Sequence, residues 1–149
     1  MMRRFVAEDF DDYLALSREF YASEATDHPV SEEHFHRTFQ ETVGGSPIAR
    51  GWLISNDQGR PVGYLLASIT WSNEFGGRVA WLEELYLRPE TRGQGLGRKA
   101  IEQAMEELKQ QDKVAGFRLE VAPANKSISE LYKRMGFQPV PYDEWCIFL

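Results

Sequence analysis

Apolar positions along the chain fall into two rhythms. From Glu8 to Ala22, Phe10, Tyr13, Leu14, Phe20 and Tyr21 recur at helical spacing, and acidic residues crowd the first turn, where the helix dipole favours them. Met2 to Val6 ahead of it reads as a short strand. After Pro29, Ser31 is an N-cap candidate with Glu32 and Glu33 behind it. Phe35, Phe39 and Val43 then line one face of a second helix that "GGSP" ends. The rhythm next changes to strands. "IARGWLIS" and "PVGYLLASITW" flank the turn "NDQG", and "NEFGG" leads into "RVAWLEELYL", which Pro89 stops. Ile101, Ala104, Met105 and Leu108 give an apolar helix face. "FRLEVA" alternates as a strand, with Phe117, Leu119 and Val121 on one side. A last helix runs from an N-cap at Asn125 along Ile128, Leu131, Tyr132 and Met135 to Gly136. Short strands near "FQPV" and "EWCIFL" complete the order β-α-α-β-β-β-α-β-α-β-β. Hairpins dominate it, so the fold class is α+β: a mixed, mostly antiparallel sheet covered by helices.

Length changes this picture little: 149 residues suit one domain, 1–149, and repeats, low-complexity tracts and long linkers are absent from the sequence. Apolar runs are short and interrupted, far from the roughly 20 residues a bilayer span needs. The two arginines near the N-terminus precede no apolar stretch, so a secretory signal is not expected. A lone cysteine, Cys146, makes neither an internal disulfide nor a cysteine-based metal site, and a reducing cytoplasm is the simplest home. Seventeen basic against 23 acidic residues give a net charge of −6. That argues against nucleic acid and membrane partners, which need a basic face, and is compatible with a cationic small substrate. No metal site is expected: His34 and His36 are two apart and point to different helix faces, and His28 sits in a loop.

The candidate chemistry gathers in "LRPETRGQGLGRKA". Gly93, Gly95 and Gly97 allow backbone angles closed to other residues and a close approach to a ligand. The helix behind them offers unpaired N–H groups, and Arg92, Arg98 and Lys99 add charge. A diphosphate fits. A Walker A loop is set aside because Arg98, Lys99 and Ala100 follow the last glycine, leaving no Lys-Ser/Thr. The G-x-G-x-G spacing is also not the dinucleotide G-x-G-x-x-G. A flexible turn without a ligand is the alternative that the loop alone leaves open.

"RGQGLG" matches R/Q-x-x-G-x-G/A, and the chain here resembles the GCN5-related N-acetyltransferases (GNAT family). "LEELYLRP" before the loop and Asn125, Tyr132 and Gly136-Phe137 in "NKSISELYKRMGF" carry the same resemblance, which extends to the element order. It implies a three-layer fold whose sheet splays between strands 4 and 5. It implies acetyl-CoA as cosubstrate, with the pantetheine pairing along the backbone of Leu85, Tyr86 and Leu87. The diphosphate would be surrounded by Arg92, Gly93, Gln94, Gly95, Leu96, Gly97 and Arg98, with Asn125 on the pantetheine.

Attack of an amine on a thioester needs a neutral amine, which for a lysine-like group at pH 7 costs about 4.6 kcal/mol. A base must take the proton, and a donor must help the thiolate leave. Tyr132 lies on an apolar helical stripe and on that ground alone is a buried aromatic; the resemblance makes it the general acid. Glu83 and Glu84 interrupt an apolar strand. Alternation puts them on opposite faces unless a bulge intervenes. The segment resembles the strand of the spermidine/spermine and thialysine branch, which favours Glu83 as the residue acting on the amine. Glu74, in the preceding hairpin turn, is a candidate substrate-facing acid, although a solvated turn residue is the expected reading. The expected function is acetyl transfer to a small cationic primary amine: a polyamine, a lysine analogue or an amino sugar. A protein N-terminal α-amine acetyltransferase and a non-catalytic acetyl-CoA-binding regulatory module are the alternatives. A homodimer is left open.

Overall fold

The computed structural model describes residues 1–23, 29–123 and 128–149. Five strands make one sheet in chain order: β1 (Met2–Arg4), β2 (Ala49–Ser55), β3 (Pro61–Ser72), β4 (Gly77–Leu87) and β5 (Gly116–Leu119). The first four pair antiparallel, and β5 pairs parallel to β4. The β2–β3 hairpin closes because Asn56 Oδ1 accepts the amides of Gln58 and Arg60, while Gly59 takes the left-handed angle that the turn requires.

Helices α1 (Phe10–Tyr21) and α2 (Glu32–Val43) cover one face. Asp9 prepares α1: its carboxylate accepts the Val6 amide at 2.8 Å and the Arg3 guanidinium at 2.6 Å. Tyr13, Leu16 and Ser17 then turn inward, and Phe35 and Phe39 do the same on α2. They meet Phe5, Leu53, Tyr64, Leu66 and Tyr86 in an aromatic core, with Phe5 and Tyr13 ring centres 5.2 Å apart.

Helix α3 (Leu96–Glu107) covers the other face through Ala100, Ile101 and Ala104, whose small alanines let it lie close on Trp52, Leu65, Ala67 and Ala80. It widens into a π turn over Leu108–Asp112, which Lys113 ends at φ +55. Helix α4 (Ser129–Arg134) adds Tyr132 to the same side. The result is the three-layer α+β arrangement expected, with an open mixed sheet. Among the described residues, no helix is long and apolar enough to cross a membrane.

Two expected elements are corrected. Residues 137–149 form no strand at either "FQPV" or "EWCIFL". Pro139 and Pro141 withdraw two amide donors, and Trp145, Ile147 and Leu149 lie exposed, without the half-buried surface that makes an apolar run into a strand. The strand read from "FRLEVA" also ends early, at Leu119. Asn125, the expected cap of the last helix, and His28 lie outside the described residues.

Candidate active site

The pairing of β4 with β3 slips once. Leu66 faces Glu84 and Ala67 faces Leu82, which leaves Glu83 as the extra residue of a bulge. Before the slip Ala80 and Leu82 point to the α3 layer; after it Leu85 and Leu87 do. Glu83 and Glu84 therefore share the α1–α2 face. Their hydrogen bonds agree, since the donors Ser68 and Tyr64 are four residues apart on β3 and so lie on one side. Ser68 Oγ donates to Glu83, and Tyr64 Oη donates to Glu84 at 2.8 Å. The environments differ. Glu83 is exposed. Glu84 lies beneath α1, where Tyr21 Oη also donates to it. Burial pushes the Glu84 carboxyl up; the two phenols act against this, and the charge of Glu83 adds to it.

Strand β5 accompanies β4 only as far as the pair Leu82–Leu119. Beyond it, Glu84 to Leu87 are paired with β3 alone, so one edge of this stretch is open toward the side β5 has left. The Tyr86 ring belongs to the aromatic core and its hydroxyl donates to Glu19 at 3.1 Å, so only its backbone is available to a ligand. Arg92 folds back along this edge, its Nε donating to the Leu87 carbonyl at 2.8 Å.

The loop that follows matches its sequence pattern in detail. Gly93 and Gly95 sit at φ +75 and +77, and a Cβ on either would meet nothing within 4 Å, so the outer side of the loop is open space. At Gly97 a Cβ would lie 3.3 Å from Leu87 Cδ1 and 3.6 Å from Leu85 Cδ2, which brings the start of α3 close to β4. Among the described residues, the amides of Gly95, Leu96, Gly97 and Arg98 meet no acceptor within the protein. Free amides at a helix N-terminus are a ready-made anion site, and a diphosphate fits it. Leu96 packs inward on the α3-side core, Arg98 pairs with Glu102 at 2.8 Å, and Gln94 Nε2 reaches the Glu90 carbonyl at 3.4 Å. A groove of about 260 Å³ continues between α3 and α4, lined by Arg98, Glu102, Met105, Lys109, Arg134 and Met135.

Tyr132 packs against the α3-side core, its ring 5.9 Å from that of Phe137, and burial pushes its hydroxyl up. It therefore sits on the opposite face of the sheet from Glu83 and Glu84. Glu74 is occupied: Arg118 binds it at 3.1 Å while lying over Phe75 and Trp81. His36 lies against the Phe10 ring at 4.2 Å, and the described residues hold no cluster of three metal-ligating side chains.

One residue was missed. Glu120 follows the last paired residue of β5 as Glu83 follows that of β4. Its carboxyl is pushed up to about 7, first by a hydrogen bond with the Glu144 carboxyl, then by burial and the charges of Glu144 and Glu83. In sequence it is one polar position of an alternating strand, and its partner lies far along the chain. No local signal marked it, because the strand end at Leu119 and the contact with Glu144 are both set by the fold.

A profile of the acetyltransferase (GNAT) family matches residues 10–137, and the chain belongs to that family. It is 31% identical over 154 residues to the thialysine N-epsilon-acetyltransferase of Mus musculus, covering 94% of this chain and 85% of that protein. It is 26% identical over 147 residues to an uncharacterized N-acetyltransferase of Methanocaldococcus jannaschii, covering 92% of this chain; the match spans only 60% of the archaeal protein's length. Among solved structures, an integron cassette protein from the mobile metagenome of Cole Harbour Salt Marsh shares 25% identity at a TM-score of 0.81, covering 99% of this chain and 90% of that one.

Proposed function

We propose that this N-acetyltransferase transfers acetyl from acetyl-CoA to a small cationic primary amine by direct attack. One observation carries the reading. The gap that opens past Leu82 and Leu119 has a glycine loop with unpartnered amides at the far end of its β4 edge and carboxylates at its mouth. The resident groups fit acetyl-CoA. Arg92, Gly93, Gln94, Gly95, Gly97 and Arg98 would hold the diphosphate, the Leu85–Leu87 backbone would pair with the pantetheine, and the α3–α4 groove would take the nucleotide end. Asn125 is proposed from the family motif alone. The place of action is proposed to be the cytoplasm.

On the acceptor side, Glu83, Glu120 and Glu144 present negative charge to an ammonium, in keeping with a relative named for a thialysine ε-amine. Glu83 draws the amine in. Glu120, with a carboxyl near 7, is poised to accept its proton at neutral pH, because a base works best when its pKa is close to the working pH. As nitrogen bonds to the acyl carbon, the carbon–sulfur bond breaks, and the proton the thiolate needs comes from the Tyr132 hydroxyl. Tyr132 is half-buried on the α3 side of the sheet, so it would reach the sulfur from the face opposite the amine.

The test is CoA release with a panel of amines, run beside calorimetry with acetyl-CoA. Amine-dependent release with diamines or lysine analogues supports the reading. Release only with peptide N-termini moves the acceptor to α-amines, and acetyl-CoA binding without turnover makes the chain a binding module.

A further inference from the structure

Glu84 is a carboxylate that the reaction above leaves unused. Its Oε1 accepts from Tyr21 and its Oε2 from Tyr64, so both oxygens are committed to phenols. An amine could reach it only by displacing one of them from an enclosed site. What it does instead is join three elements: Tyr64 of β3, the bulge of β4, and Tyr21, the last residue of α1. A bulge gives up ladder pairing and needs compensation from side chains. At this one the compensation is Glu84, placed directly after the unpaired Glu83. Tyr13, Ser17 and Tyr21 share one side of α1 at four-residue spacing, so the contact with Glu84 also holds the last turn of α1 against β4.

We propose that Glu84 is a positioning residue for acetyl transfer. Clasped by the Tyr21 and Tyr64 hydroxyls, it locks the β4 bulge that turns Glu83 outward and pins the last turn of α1 beside it. The inference rests on the acetyltransferase reading for its kinetic consequence and on the geometry alone for its structural one. The groups facing Glu84 are Tyr21 and Tyr13 from α1, Tyr64 from β3 and Glu83 from its own strand.

Two variants of the full chain test it. Tyr21→Phe removes one donor and keeps every charge; Glu84→Gln keeps the shape and one acceptor. The readouts are the Kd of acetyl-CoA, kcat and amine KM, the acidic limb of kcat/KM, and backbone amide exchange over residues 18–23 and 82–87. Amine KM should rise about three- to tenfold in Tyr21→Phe, the yield of one lost hydrogen bond, with acetyl-CoA affinity unchanged within about twofold. In Glu84→Gln the acidic limb should persist near pH 7, because it belongs to Glu120, whose shift comes from Glu144, burial and Glu83 and not from Glu84. Exchange should quicken in both segments. Disappearance of the limb in Glu84→Gln, with activity regained at high pH, would make Glu84 itself the base and overturn the proposal. Lowered thermal stability with unchanged amine KM and exchange would reduce the clasp to a structural contact and also overturn it. If the wild-type chain releases no CoA with any amine, the acetyltransferase reading fails on that ground. The exchange measurement then decides alone, with quickening in both segments for the clasp and unchanged exchange against it.

Discussion

Glu83 of β4 and Glu120 behind β5 are the first residues past the last paired position of the two strands, Leu82 with Leu119. The gap therefore begins between two carboxylates, and Glu83 contributes to holding the Glu120 carboxyl up. A cationic amine entering here meets charge of the opposite sign where a proton must leave.

That relationship gives a pH signature. With Glu120 near 7, kcat/KM should climb through an apparent pKa close to 7, and Glu120→Gln should remove that step. Stability responds with the opposite slope. The folded state holds a proton on Glu120 more tightly than the unfolded chain, whose carboxyl titrates near the ordinary 4.5. The advantage is complete below that value and is lost as pH rises toward about 7. Thermal melts at pH 5 and pH 8 should therefore differ more for the wild type than for Glu120→Gln, and the variant should be the more stable of the two at pH 8. Equal differences would contradict the pairing with Glu144.

Arg92→Glu tests the glycine loop. Arg92 anchors to the Leu87 carbonyl and stands beside open space lined by free amides. Reversing its charge against a diphosphate should weaken acetyl-CoA by about ten- to a hundredfold, the scale of a charge-assisted hydrogen bond. Calorimetry on a folded variant checks this, and unchanged affinity would remove the loop from the binding site.

Tyr132→Phe separates chemistry from packing. The ring contact with Phe137 stays and only the hydroxyl goes. Folding and acetyl-CoA binding should persist while kcat falls by roughly ten- to a thousandfold, reaching into the range of general acid catalysis. An intact kcat with a lowered melting temperature would leave Tyr132 as a core residue.

The glycine loop was legible because its chemistry is local: positive φ at Gly93 and Gly95 and a helix start behind them follow from adjacent residues. The sheet through β4 was legible for the same reason, as alternation and turn residues mark each hairpin. The position of Glu83 could be read only conditionally. Alternation opposes it to Glu84, and the bulge that puts both on one face is a property of the register with β3. Tyr21 reads as an apolar helix position and Tyr64 is only one residue of the strand "PVGYLLASITW", yet their hydroxyls serve one acid from two different elements. Glu120 went unseen because its shift depends on Glu144, a partner set by the fold. The C-terminal run "EWCIFL" has the composition of a strand, but composition supplies no neighbouring strand to pair with.

Steady-state release of CoA by the wild-type chain, with diamines, lysine analogues, amino sugars and N-terminal peptides compared at pH 7 and pH 9, tests the central claim most directly. Saturable, amine-dependent release, strongest with small molecules that carry a high-pKa primary amine, is the predicted result. Tight binding of acetyl-CoA with no amine raising release above background hydrolysis would contradict it.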